Sequence, residues 1–247
     1  MQRIGITEVL ERSEQGRTRP FLCRGDDDRT YWVKGKTAGR MGLAAEVLGF
    51  CLARELGLPV PEGIIAEVPI ELIEAGLVLN PELADLGSGP AFGSLVVQAT
   101  EFVFARVHDV SPELAEALAV FDWWIRNEDR TLTELGGNPN LLWEVPPHEG
   151  LVVIDHNLAF GEIDRVAFMQ THVFAEKLAE VSADFERRQY WAGKLTAALN
   201  CWDEACSYVP MEWGFIDQEQ TIPSNLNLED IRAKLQDCLN EEFWQIP

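Results

Sequence analysis

The sequence predicts an α+β protein of two lobes, a small β-rich N-terminal lobe over residues 1–98 and a mainly helical C-terminal lobe over residues 99–247. Three observations carry this. Short strand-like runs punctuated by turn residues dominate the N-terminal part. A capped, strongly apolar helix opens the second part. From Val166 onward the apolar spacing is helical to the end. With 247 residues, 47% of them hydrophobic, the chain can bury a sizeable core as one two-lobed domain or two small ones.

Taken in order, residues 1–15 (MQRIGITEVLERSEQ) are polar and charged, and no secretory signal peptide is expected there. Residues 18–34 read TRPFLCRGDDDRTYWVK. The apolar runs 21–23 and 31–33 flank GDDDR, which predicts a β-hairpin with residues 26–28 as a solvated turn. TAGRMG (37–42) reads as loop. LAAEVLGFCLARELG then has helical spacing, with Gly57 as its stop and Pro59 and Pro61 beyond. GIIAEVP reads as a strand closed by Pro69, residues 70–94 as an irregular Gly/Pro-punctuated stretch, and LVVQATEFVF as strand-like at first. FGSL (92–95) reads as a strand entry, with a phosphorylatable loop at Ser94 as the alternative. Ser111-Pro112-Glu113 starts a helix: Ser caps, Pro takes the first turn and Glu faces the positive dipole end. That helix should run through ELAEALAVFDWWIRN, with Trp123 and Trp124 as packing residues. NLLWEV, PPHEG and LVVIDHNLAF form a second expected hairpin.

The composition narrows the function classes. Five scattered cysteines without CxxC pairs argue against a disulfide framework or zinc site, and His108, His148 and His172 lack metal-ligand spacing. No apolar run is long enough to span a bilayer, so the expectation is a soluble, cytoplasmic protein. The net charge of −21 disfavours nonspecific contact with nucleic acid or anionic lipid, but a small nucleotide that brings Mg²⁺ to a local pocket remains compatible.

Transfer of a phosphoryl group needs a cation on the phosphates, carboxylate or amide oxygens on Mg²⁺, and an acid–base group at the attacking hydroxyl. Three features in chain order suit that chemistry. Lys34 ends the run YWVK, so its stem can lie along a sheet while the ammonium reaches out. A solvated strand-end lysine is the plainer alternative. Glu46 on the next helix is a possible partner or, equally, a surface residue. In RNEDRTLTELGGNPNLLW, Asp129 enters a loop after the apolar helix, and Asn140 precedes NLLW. An amide oxygen beside a carboxylate adds coordination without charge, although NEDR also reads as a helix end and GGNPN as a turn. In LVVIDHNLAF, Asp155 breaks an apolar strand, where a carboxylate is unfavourable unless paired or metal-bound.

Together, WVK, LARELGLPVPE, DWWIRNEDR, GNPNLLW and VVIDHNLAF resemble the HipA-like kinases, closest to their short stand-alone branch, and also the wider phosphoinositide-kinase-like superfamily. The resemblance covers most of residues 15–160. It implies a single kinase domain of protein-kinase-like fold using ATP and Mg²⁺. Lys34 would contact the α- or β-phosphate and Glu46 would orient it. Asp129 would be the catalytic base, Asn140 and Asp155 would hold Mg²⁺, and Arg130 would support the loop or contact phosphate. The implied acceptor is a protein Ser/Thr hydroxyl, and an antitoxin partner follows only by analogy. A lipid or small-alcohol kinase and a pseudokinase that only binds nucleotide are the alternatives. The sequence departs from the family pattern in three places. The Asp129–Asn140 spacer is longer, which makes Asn138 a competing ligand. Asn157 stands where a left-handed Gly is usual. GDDDR takes the place of a Gly-rich phosphate loop.

Overall fold

The structure, a computed structural model, describes residues 1–14, 16, 18–217 and 219–247. Two compact units are present. The first comprises Met1–Val47, Pro61–Val97 and Ser207–Leu226, and the second Leu48–Val60, Gln98–Cys206 and Asn227–Pro247. Among the described residues no helix is long and apolar enough to cross a membrane.

The first unit is built on a closed five-stranded barrel. Its strands are β1 (Gln2–Arg12), β2 (Phe21–Gly25), β3 (Thr30–Lys34), β4 (Gly63–Val68) and β5 (Gly89–Leu95), in the order β1-β2-β3-β5-β4. All pairs are antiparallel except β1 with β4. Closure removes the free sheet edges that would otherwise invite pairing with other chains. The interior is filled by alternate residues, among them Ile4, Ile6, Phe21, Cys23, Tyr31, Val33, Ile64 and Ala66. The expected β2–β3 hairpin is present. β1 was not expected. Its inward residues are Ile4, Ile6 and, past a register shift, Val9, and that shift breaks the simple alternation a strand would show in the sequence.

Helix α1 (Gly39–Glu55) starts within the stretch read as loop, and residues through Val47 belong to the first unit, those from Leu48 to the second. Gly57 ends it in a left-handed turn (φ 78°), as expected, with Leu58 N–H returning to Ala53 O. Residues 70–94 are more regular than expected: they hold α2 (Ile70–Leu77), α3 (Leu83–Leu86) and most of β5. Pro69 opens α2, and Ile73, Leu83 and Leu86 anchor this stretch in the barrel-side core. Core contacts thus order a segment whose Gly and Pro content suggests a loop. Ser94 lies in β5, paired with Trp32 and Gly63.

The second unit contains a three-stranded antiparallel sheet of β6 (Ala99–Glu101), β7 (Leu141–Glu144) and β8 (Gly150–Val153). The strand expected over LVVQATEFVF is reduced to β6, and Phe104–Asp109 is a 3₁₀ turn. The central element is α4 (Pro112–Ile125), capped by the Ser111 hydroxyl accepting from Leu114 N–H at 3.2 Å. From Leu118 to Ile125 every residue is buried, so α4 is a core helix. Trp123 and Trp124 donate their indole N–H groups to Phe243 O (3.0 Å) and Leu235 O (2.7 Å), which ties the C-terminal segment to this helix. The helices that follow are α5 (Arg165–Thr171), α6 (Ala175–Ala183), α7 (Phe185–Ala198), α8 (Trp202–Tyr208, whose end passes into the first unit) and α9 (Leu228–Leu235), of which α6 packs most extensively on α4. Asp184 separates α6 from α7 by capping α7.

Candidate active site

The first group of candidate residues lies in the first unit. Tyr31 and Val33 point into the barrel, so Lys34 faces outward by strand alternation. Its ammonium meets the Glu46 carboxylate of α1 at 2.5 Å. Glu46 is not a surface residue. Only 2% of its side chain is exposed, against 12% for Lys34. The pair is therefore largely shielded from water, where its attraction is poorly screened and its geometry well held.

The GDDDR turn is tied to its surroundings by Asp26 N–H donating to Gly5 O at 2.8 Å and Arg29 donating to Glu62 at 2.8 Å, while its central carboxylate is bonded locally. Asp27 accepts from Tyr31 Oη (2.6 Å), Arg29 Nε (2.8 Å) and Arg29 N–H (3.1 Å). Partial burial alone would raise the Asp27 carboxyl, but these bonds hold it below the usual range. The Asp27 carboxylate is folded onto its own hairpin, and Asp26 and Asp28 are exposed. A solvated acidic turn is what the sequence suggested.

The second group lies in the second unit. In the β7–β8 register Leu141 pairs with Val153, and Ile154 N–H donates to Asn140 O at 3.2 Å. Asn140, just before β7, and Asp155, just after β8, are thereby set at the same end of the hairpin. Asn140 Nδ2 donates to Asp129 Oδ2 at 2.9 Å. Asp129, Asn140 and Asp155 are each half-buried. Asn140 and Asp155 are both left-handed, at φ 48° and 63°. Non-glycine residues hold that conformation only where surrounding structure compels it, and Asn and Asp tolerate it best. Asn157 does not: the positive φ falls on Asp155 itself and on Phe160, because Asp155 makes the turn out of β8. Asp155 Oδ1 also accepts from Asn157 N–H at 3.4 Å.

The long spacer between Asp129 and Asn140 folds back on itself. Thr131 pairs with Asn138, Thr133 with Gly136, and Leu135 stands fully exposed at the tip. Asn138 is exposed and held through its backbone to Thr131, whereas Asn140 is the amide that reaches Asp129.

Arg130 is fully buried. Its guanidinium bonds Asp122 and the carbonyls of Pro139, Asn140 and Ile154. Asp122 carried no expectation from the sequence, and His172 was considered there only as a metal ligand. The one available signal was a carboxylate in the apolar run AVFDWWI, which no buried helix tolerates unpaired. Burial by itself would raise the Asp122 carboxyl, but Arg130 and His172 overcome it and bring it to about 2. Burial lowers the His172 imidazole below its ordinary value, against the pull of Asp122.

A held ammonium in the first unit and, separately, a set of carboxylate and amide oxygens in the second are groups of the kind phosphoryl transfer uses. The chain belongs to the HipA-like kinase family, whose model matches residues 6–247, and so to the kinases. A solved structure described as the crystal structure of the Golgi casein kinase with Mn/ADP bound is similar at 13% identity and a TM-score of 0.43, covering 98% of this chain and 72% of that one. No curated protein matches the chain.

Proposed function

We propose that the protein is a Mg·ATP-dependent kinase that transfers the γ-phosphoryl group to a serine or threonine hydroxyl of a protein. The observation that carries this reading is the gathering of Asp129, Asn140 and Asp155 at one end of the β7–β8 hairpin. Hard oxygen donors of this kind suit Mg²⁺ or Mn²⁺. Asn140 gives its N–H to Asp129 and so keeps its amide oxygen as a metal ligand beside the Asp155 carboxylate. The bound metal would neutralise phosphate charge and align the transferring group.

The chain's own residues have separate tasks. Asp129 accepts the acceptor hydroxyl's proton, oriented by the Asn140 amide. Lys34 contacts the α- or β-phosphate, and Glu46 keeps its flexible stem in place. The net charge of −21 disfavours an anionic membrane face, so a protein hydroxyl ranks above a lipid one.

The test is calorimetry with ATP, with Mg²⁺ or Mn²⁺ and with excess EDTA, followed by transfer assays. ATP should bind only with the metal. Asp129→Ala should abolish transfer while leaving nucleotide affinity largely intact, and Asp155→Ala should lose both. Equal ATP affinity in EDTA, or an Asp129→Ala variant as active as the parent, would overturn the reading. A chain that binds Mg·ATP but phosphorylates no protein, lipid or small alcohol would be a nucleotide-binding module.

A further inference from the structure

We propose that Asp122 and His172 are positioning residues for the metal-ligand set, acting through Arg130; the inference rests on the function proposed above. Arg130 follows Asp129 directly in the chain. Its Nη1 donates to Pro139 O (3.2 Å), Asn140 O (2.5 Å) and Ile154 O (3.1 Å). One guanidinium therefore holds the backbone beside all three candidate residues: Asp129 through the chain, Asn140 through its own carbonyl and that of Pro139, and Asp155 through Ile154. Any rotation of this planar group moves the three together.

What sets the guanidinium is Asp122. Its Oδ2 accepts from Arg130 Nε at 2.7 Å and its Oδ1 lies 3.4 Å from Nη2, a two-point grip that fixes the plane. Both carboxylate oxygens have a second partner: Asn127 Nδ2 at 3.0 Å on Oδ1 and His172 Nε2 at 3.0 Å on Oδ2. The tautomer follows from the other side of the ring. His172 Nδ1 lies 3.1 Å from Phe174 N–H, which can only donate, so Nδ1 accepts and the ring proton sits on Nε2, pointing at Asp122. His172 is also clipped to the catalytic loop through backbone bonds, Leu132 N–H to Thr171 O (3.0 Å) and Val173 N–H to Arg130 O (3.2 Å).

All three side chains are wholly shielded from water. A buried ion pair contributes little net stability compared with well-packed apolar residues, so stability alone does not account for it. What it supplies is geometry. Groups that orient the first ring of metal ligands typically change metal affinity by about 10- to 100-fold when removed.

The experiment measures Mn²⁺ affinity by electron paramagnetic resonance in the presence of a nonhydrolysable ATP analogue. It uses the full chain, Asp122→Asn, His172→Gln and Asp155→Ala, with thermal melts to establish that each is folded. Asp122→Asn keeps the shape of the side chain but loses the two-point grip. It should melt cooperatively, bind Mn²⁺ about tenfold more weakly, and recover transfer in part at high Mn²⁺, a rescue that general loosening of the fold would not show. His172→Gln should weaken Mn²⁺ in the same sense by several-fold. Folded Asp122→Asn with the parent's metal affinity would overturn the proposal. Should Asp122→Asn fail to fold, His172→Gln decides, and unchanged Mn²⁺ affinity there overturns it equally. If Asp155→Ala also keeps the parent's affinity, the metal-site reading itself fails. Loss in Asp155→Ala alone removes only the positioning role.

Discussion

Lys34 and Glu46 show how far burial changes what a residue can do. An exposed Glu on α1 would carry a few tenths of a kcal/mol and no activity, but this one is almost wholly enclosed against the ammonium. Lys34→Met and Glu46→Gln should each reduce transfer, and the double variant should be little worse than Lys34→Met alone, because the pair acts as one unit. A double-mutant cycle on kcat/KM measures this, and additive losses would separate the two residues. Glu46→Ala should also lower unfolding free energy in urea by about 3 kcal/mol, the usual order for breaking a buried pair. Asp155 offers a second residue-level test, since it holds φ 63°. Asp155→Gly and Asp155→Ala should lose metal binding alike, yet the glycine variant should be the more stable by about 1 kcal/mol, because it alone is free of a Cβ in that conformation. Equal stabilities would show that the backbone there is unstrained.

Among the helices, two glycines make a controlled comparison. Gly49 lies inside α1, where a Cβ would come within 2.6 Å of the His156 Cβ. Gly193 lies inside α7, where a Cβ would meet nothing within 4 Å. Helix propensity favours Ala over Gly at both by about 1 kcal/mol. Gly193→Ala should therefore raise stability by that amount. Gly49→Ala should lower it by about 1–3 kcal/mol through overpacking, and should reduce transfer as well, because the displaced His156 follows Asp155 directly. Denaturant melts of the two variants read the opposite signs, and stabilisation by Gly49→Ala would show that His156 has room to move. Some elements could be read from local sequence. The Ser111 cap, the Gly57 stop and the two hairpins are specified by a few adjacent residues. β1 and residues 70–86 could not, since their regularity comes from burying Ile4, Ile6, Ile73, Leu83 and Leu86 in a core assembled from distant segments.

At the scale of the whole molecule, two buried groups, His172 and Asp122, should both act to lower stability as pH falls. Folding lowers the His172 imidazole from its ordinary 6.5, so the unfolded chain binds the proton more readily. The stabilisation is complete above about pH 6.5 and is lost as pH falls through the lower folded value. Asp122, held at about 2 against an ordinary 3.8, acts in the same sense: its contribution is complete above 3.8 and is lost toward pH 2. Urea unfolding at a series of pH values should show the parent losing stability below pH 6.5, and His172→Gln should flatten that first decline. An unchanged slope in His172→Gln would assign the decline to other groups. The net charge of −21 adds a contrary trend, because protonating exposed carboxylates relieves self-repulsion, so the comparison between variants carries the result.

The sequence by itself determined what depends on neighbours in the chain: the hairpins, the caps, the capped helix before NEDR, and the separate motifs around Lys34, Asp129, Asn140 and Asp155. These signals act over a few residues, through turn chemistry, capping and apolar period. Only the tertiary structure decided that the strands close into a barrel, that Glu46 is enclosed, that Asn140 rather than Asn138 reaches Asp129, and that the left-handed residue is Asp155 rather than Asn157. It also joined Asp122 and His172, 50 positions apart, to Arg130. Such contacts are set by which distant groups must satisfy a charge once water is excluded, and that requirement leaves no mark on local spacing.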